Sequence, residues 1–289
     1  MTENRIIISD SQDINTPQGQ EQKAIPTNRG DLVAVLINTK LDALLEATSR
    51  SFYPTLKYLP KKTRGRIGLL YLLARVADTI ADSKHGETEV LLQILKQYND
   101  VAQGRSPTLP DFSEISEIQD NENEAELLRN VKDVVAGLSE CDEVDSSLIL
   151  ECLDIIVEGQ ILDLERFGTA KEGGSISSLK SEEELDDYAY RVAGSVGVFW
   201  SKISLTHLMT LPAGKEEEFL KKGIRFGKAL QMINILRDIP EDLRFGRCYI
   251  PDVTLAEYNL KPDDLMDSTN IDKFRPLYDK YLDLTNEHL

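Results

Sequence analysis

Two pairs of aspartates spaced four residues apart, Asp78/Asp82 and Asp238/Asp242, are the side chains of this sequence best suited to chemistry. On an α-helix, residues four apart lie one above the other on the same face. Each pair sits in a largely apolar helical stretch, so it projects two carboxylates from a surface that otherwise wants to be buried. Two such pairs facing one another across a helical core can chelate hard divalent cations, and those cations can hold phosphate groups. The arrangement suits chemistry that begins by pulling off a diphosphate.

The first pair belongs to the stretch Ile67 to Asp82, whose apolar residues cover most of a helix circumference, the mark of a buried helix. Its exceptions, Tyr71, Arg75, Asp78 and Asp82, are spaced four, three and four apart and form one polar seam. A structural ion pair with Arg75 is the plain alternative. It leaves one of two buried carboxylates without a counter-charge, which is costly, and a metal cation is the missing partner. The second stretch, Gly223 to Asp242, repeats the pattern with Gln231, Asn234, Asp238 and Asp242. Two amides and two carboxylates are oxygen ligands of the kind magnesium takes, and Arg237 and Arg244 lie close enough to grip phosphate oxygens. The alternative is an acidic helix end at the surface. Pro240 is expected to bend the chain and place Asp242 beyond the bend.

Other segments carry weaker signals. Tyr188 to Gly197 puts Ala193, Gly194 and Gly197 close together, which admits either a neighbouring helix or a ligand. Ser49-Arg50-Ser51-Phe52 reads equally as a helix cap with a core aromatic. Asp154, Glu158 and Asp163 read as a solvated face. Lys57, Lys61, Lys62, Arg64 and Arg66 make a basic cluster, either a solvated loop or the mouth of a cavity that draws in an anion.

The elements that must position these residues are helices. Beyond a polar stretch over 1–30, read as a mobile tail, apolar periodicity recurs over 32–48, 64–82, 87–103, 124–138, 144–167, 182–210, 216–239 and 272–288, with little period-two alternation. Breaks fall at Gly104 to Pro110, Gly168 to Ser178 and Leu211 to Gly214, and the acidic stretch Asp111 to Glu126 reads as a solvated loop leading into a helix. The fold class is therefore all-α, a single domain of about eight or more helices over 31–289. The 289-residue chain has a net charge of −17, which argues against nucleic acid and against broad attraction to anionic lipid. Three cysteines, Cys141, Cys152 and Cys248, without paired spacing point to a reduced, cytoplasmic compartment, and His85, His207 and His288 lie too far apart to suggest zinc. No apolar run is long enough to span a bilayer, and the N-terminus lacks the pattern of a signal peptide.

Taken together, Ser49-Arg50-Ser51-Phe52, Ala74 to Asp82, Tyr190 to Gly197, Gln231 to Asp242 and Gly246 to Pro251 resemble the squalene/phytoene synthase family, the head-to-head isoprenyl diphosphate synthases, in order and spacing from about residue 45 to 252. The resemblance implies an isoprenoid synthase fold around a central, largely apolar cavity. By carry-over, Asp78, Asp82, Asn234, Asp238 and Asp242 bind magnesium, with Gln231 completing the second site. Ser49, Ser51, Arg75 and Arg237 contact diphosphate oxygens, and Phe52 lines the hydrocarbon channel. Tyr190 and Tyr249 face the reacting carbons or the departing diphosphate. It further implies two prenyl diphosphates as substrates, a cyclopropyl diphosphate intermediate, a monomer, and a peripheral membrane contact for release of a lipid product.

The Asp78-Thr-Ile-Ala-Asp82 variant leans toward farnesyl diphosphate as substrate and squalene as product, through presqualene diphosphate and with NADPH as reductant. The alternatives are phytoene or dehydrosqualene, formed by proton loss, or arrest at presqualene diphosphate. A scaffold protein of the same fold is a further alternative, but it predicts eroded ligands, whereas all four aspartates are present. Members of the family normally continue for further helices past the region ending at Leu289, so the chain is expected to be shortened.

Overall fold

The computed structural model of the protein describes residues 38–49, 52–83, 86–168 and 174–289. The expected tail over 1–30, together with Arg50, Ser51 and His85, lies outside the described residues. The helices are α1 (Thr39–Ser49), α2 (Tyr53–Tyr58), α3 (Lys61–Ala81), α4 (Thr88–Ala102), α5 (Ser113–Glu117), α6 (Glu122–Arg129), α7 (Val131–Ala136), α8 (Glu143–Phe167), α9 (Glu182–Ala189), α10 (Ser195–His207), α11 (Glu216–Arg244), α12 (Asp252–Glu257) and α13 (Ile271–His288). A π-helical turn, Tyr190–Gly194, joins α9 to α10. Strands are limited, among the described residues, to a two-residue parallel bridge between β1 (Ser177–Ser178) and β2 (Arg247–Cys248).

Three departures from the periodicity have local causes. The acidic stretch from Asp111 contains the short helix α5, because Phe112 and Ile115, three apart, are buried. The block 124–138 breaks at Asn130, whose backbone (φ −109, ψ 13) leaves the helical region between α6 and α7. Pro240 does not bend Asp242 away: α11 runs through it to Arg244, so the proline deletes a backbone bond only near the helix end.

Apolar side chains gather in two clusters. One is built from α1, α3, α4, α6 and α8 with Phe199 and Ile203 of α10. The other is built from Met232, Ile235, Leu236 and Leu243 of α11, from Tyr249, Leu255 and Leu260, and from Leu277 and Tyr281 of α13. Helices α3 and α11, which carry the two aspartate pairs, thus belong to different clusters. Arg66 at the start of α3 is buried on Asp145 of α8, which also receives His207 Nε2 of α10 at 2.7 Å. Arg66 and Arg64, the latter 2.8 Å from Asp42, are thereby withdrawn from the basic cluster into ion pairs.

Helices α10 and α11 meet backbone to backbone, which decides the Gly-rich segment in favour of helix packing. A Cβ on Gly197 would lie 1.9 Å from the Gly223 carbonyl oxygen, and one on Gly227 would lie 2.2 Å from that of Ala193. Gly246 serves differently. Its φ of +78, a conformation L-residues rarely adopt, turns the chain out of α11 into β2. The bridge then fixes register, with Ser177 opposite Arg247.

Because backbone cannot retreat as a flexible side chain can, Gly197→Ala is expected to force α10 and α11 apart. The expected loss of about 3 kcal/mol of stability is readable by urea unfolding.

Candidate functional site

The α3 seam is present as read. Asp82 closes the helix, its N–H donating to the Asp78 carbonyl at 2.9 Å. The Asp78 carboxylate accepts from the Arg75 guanidinium and from Gln160 Nε2 at 3.2 Å. Arg75 also donates to Glu124 of α6 at 2.5 Å, yet its Nε is buried with no hydrogen-bond partner. The structural ion pair is therefore real for Asp78 but does not extend to Asp82. Tyr71 opens the seam with its hydroxyl on the Thr48 carbonyl at 3.2 Å, and Phe52, half-exposed, sets its ring 5.7 Å from that of Tyr71. Ser49 is buried, its hydroxyl donating to the Leu45 carbonyl at 2.5 Å. Ser51 lies outside the described residues.

On α11, Arg237 grips Asp238 with two hydrogen bonds of 2.7 and 2.6 Å. Asn234 Nδ2 reaches Gln231 Oε1 at 3.5 Å, and Asp242 is half-buried in the last turn. Each pair thus has its first aspartate neutralised from its own helix, by Arg75 or by Arg237, while the second is not.

Between the pairs stands Asp163 of α8, only 6% exposed. It accepts from the Tyr249 hydroxyl at 3.0 and 3.1 Å and from Arg247 Nη1 at 3.4 Å. The same Arg247 nitrogen lies 3.5 Å from Asp82 Oδ1. The Tyr249 ring stacks on Tyr188 at 4.7 Å and meets the edge of Phe167 at 5.3 Å. Reading Asp163 as solvated is overturned, and Arg247 is the functional candidate that sequence reasoning quoted in a motif without a role. The available signal was the apolar company of Asp163, flanked by Leu162 and Leu164 within a long helix.

Tyr190 is not brought to the aspartates. Residues two apart on a helix face in different directions, so with Tyr188 turned toward Asp163, Tyr190 lines a hollow with Glu182, Glu183, Asp186 and Asp187, its ring 5.9 Å from Lys228 Nζ. The tyrosines brought to Asp163 are Tyr249, through its hydroxyl, and Tyr188, stacked on it.

The electrostatics follow from this crowding. Burial raises the pKa of Asp78 against the pull of Arg75. Asp82 rises to about 7, first by burial and then by repulsion from Asp78. Its carboxylate still faces water, with its side chain 61% exposed, so crowding by protein rather than full dehydration disfavours its charge. Asp242 also rises to about 7 through burial, with Arg247 opposing and Asp238 and Asp163 adding repulsion. Asp163 is raised by burial against Arg247 and the Tyr249 hydrogen bond. Burial acts to lower the Arg247 pKa, but Tyr249, Asp163 and Asp82 outweigh it and keep the guanidinium charged.

These residues fit a hard divalent cation. The donors at the two pairs are carboxylate and amide oxygens, and the negative charge exceeds what Arg247 balances. Among the described residues no three acidic, His or Cys side chains converge on a point. An ion here would take one or two carboxylates and complete its shell with water and ligand oxygens, as magnesium does.

A pH dependence follows. An aspartate in the unfolded chain titrates near 3.9, whereas Asp242 in the folded protein titrates at about 7. Between those values the folded state holds more protons, so metal-free stability falls as pH rises from about 4 to about 7. Asp242→Asn is expected to raise the Tm at pH 8 by about 2–4 °C, the effect of ~1 kcal/mol in a chain of this size. At pH 4 it should change nothing, and scanning fluorimetry at both pH values checks this.

The chain is similar to known proteins over most of its length. Residues 45–289 match the sequence model of a family described as squalene/phytoene synthase. The bifunctional lycopene cyclase/phytoene synthase of Colletotrichum graminicola is 28% identical over 257 residues, covering 86% of this chain and 40% of its own. The 15-cis-phytoene synthase of Synechocystis sp. is 28% identical over 242 residues, covering 79% of this chain and 60% of its own. The chain therefore spans less than two thirds of the length of these relatives. The crystal structure of the squalene synthase HpnC from Alicyclobacillus acidocaldarius superposes with a TM-score of 0.60 at 18% identity, over 89% of this chain and 84% of that one, so the two share the all-α isoprenoid synthase fold. With both aspartate seams, Asp163 and Arg247 all inside the matched region, the chain belongs to the squalene/phytoene synthase family.

Proposed function

We propose that the protein condenses two prenyl diphosphates head to head at this site and ends the reaction by proton loss, giving a phytoene-type product. The observation that carries the reading is Arg247, within 3.5 Å of Asp82 and 3.4 Å of Asp163 while its charge also acts on Asp242. This common neighbour supports reading the two aspartate pairs as one charged site rather than two separate surfaces. The names of the relatives at 28% identity favour a phytoene-type end product over the squalene expected from the Asp78 to Asp82 variant. Squalene synthase structures at under 25% identity speak for the fold alone.

Asp78, Asp82, Asn234, Asp238 and Asp242 would hold magnesium, which would supply neutralisation of the leaving diphosphate. The protein's own groups do the rest. The unpartnered Arg75 Nε would donate to an anionic oxygen, and Arg237, at the exposed edge of α11, would grip a second on turning from Asp238. Phe52 and Tyr71 offer an aromatic surface beside the first seam. Tyr188, Tyr249 and Phe167 form a second aromatic group against Asp163, where ring faces favour an adjacent allylic cation. Asp163 holds the Tyr249 hydroxyl and so fixes that ring. NADPH enters only if the product is squalene.

Incubation with magnesium and either geranylgeranyl or farnesyl diphosphate, with and without NADPH, tests the reading by product mass. Proton-loss product independent of NADPH is expected. A strict requirement for NADPH would move the assignment to squalene, and no turnover of either substrate would sink the enzyme reading and leave the scaffold alternative. Asp78→Asn and Asp238→Asn should abolish turnover and the rise in Tm that magnesium plus a diphosphate analogue gives the wild type.

Tyr188→Phe is expected to lower kcat about tenfold or more, while Tyr190→Phe stays within about twofold of wild type. Equal losses from the two would reverse the assignment of the cleft tyrosines.

A further inference from the structure

Three arginines attend the four aspartates, and they do so differently. Arg75 and Arg237 are bound to carboxylates on their own helices, three residues and one residue away. Arg247 comes from β2 and is drawn between α3 and α8, at 3.5 Å from Asp82 and 3.4 Å from Asp163. Those separations are long for a charge-assisted pair, which closes to about 2.7–2.9 Å when one carboxylate commands the guanidinium. Arg247 therefore sits in the field of several carboxylates without being locked to one. Among the described residues it is also the cation within ion-pairing distance of Asp82.

We propose that Arg247 is a resident counter-cation of Asp82 and that it competes with a divalent ion for that carboxylate. The inference rests on reading the aspartates as metal ligands and goes beyond it, because it assigns a role to a residue that is not itself a ligand. Two features make the exchange feasible. The backbone of Arg247 is pinned by the bridge to Ser177 and by the turn at Gly246, so only its long side chain has to move. Asp163, the other carboxylate it touches, keeps the Tyr249 hydroxyl at 3.0 Å when the arginine withdraws and is not left as a bare buried charge. Asp82 has no such reserve, so the arriving ion takes over the charge that Arg247 balanced. A cation already beside Asp82 repels a second one, and Arg247 therefore weakens metal binding by the cleft in the absence of substrate.

The sign of this effect separates the proposal from a structural role. Removing a packing or ion-pairing residue would loosen the cleft and weaken metal binding, whereas removing a competitor strengthens it. Mn2+ titrated into the metal-free protein, with free Mn2+ read by electron paramagnetic resonance, measures affinity without turnover. Arg247→Met is expected to tighten Mn2+ binding by about tenfold, and Arg247→Lys, which keeps the charge, should stay near wild type. Adding Asp82→Asn to Arg247→Met should cancel the gain. Circular dichroism checks that each variant is folded, and Arg247→Gln replaces the Met variant should that one not fold. Unchanged or weaker Mn2+ binding in folded Arg247→Met, with Asp82→Asn alone weakening the wild type, would overturn the proposal and leave the metal site standing. Insensitivity of Mn2+ binding to both substitutions would overturn the metal site as well.

Discussion

A single buried carboxylate, Asp163, ties the site together. A charge at 6% exposure is tolerable only if protein groups answer it, and both answers come from one short segment, Arg247 and Tyr249 on either side of Cys248. That segment reaches Asp163 because α11 stops at Arg244, Gly246 turns the chain, and the two-residue bridge to Ser177–Ser178 sets its register. The position of Asp242 in the last turn of α11 and the pairing of Asp82 with Arg247 are then referenced to the same point on α8. The bridge, the one strand pairing among the described residues, is therefore part of the site rather than a remnant of a sheet.

What the sequence disclosed and what it withheld follow from how each signal arises. The seams were legible because polar residues repeated every three or four positions in an apolar stretch have few explanations, and Tyr71, Arg75, Asp78 and Asp82 do share a face. The all-α class was legible for the same reason. Asp163 was not, because one carboxylate following Asp154 and Glu158 looks like a solvated face until the partners that fold back from 84 and 86 residues away are seen. Tyr190, carried over from the family motif, is not the tyrosine at Asp163, since a motif fixes which residues occur but not which of two tyrosines, two positions apart, turns inward. Pro240 misled through its general reputation. Near the end of a helix it removes little, and α11 carries it.

The site divides its groups by chemistry. Charged groups come from α3, α8, α11 and β2, while the rings of Tyr188, Tyr249 and Phe167 pack together beside Asp163. In the proposed reaction that division matches the two ends of a prenyl diphosphate: the head group meets charge and the reacting carbons meet aromatic faces that do not quench a cation. Close packing of α10 on α11 through Gly197, Gly223 and Gly227 serves this indirectly. With backbone against backbone, the α11 seam is held at a fixed distance from α10, which carries Gly197.

The asymmetry within each aspartate pair has a further physical source. Asp82 terminates α3 and Asp242 lies in the last turn of α11. Helix C-termini carry partial negative charge from their unpaired carbonyls, so a carboxylate there is opposed by its own helix. The first members, Asp78 and Asp238, lie a turn further in and have arginines on the same helix. The second members have the opposed position and share Arg247, and burial lifts both to about 7. An i, i+4 pair at a helix end therefore differs from two carboxylates placed anywhere on a surface. One carboxylate is held ready by a local arginine, and the other stands where the backbone itself adds to the demand for a cation.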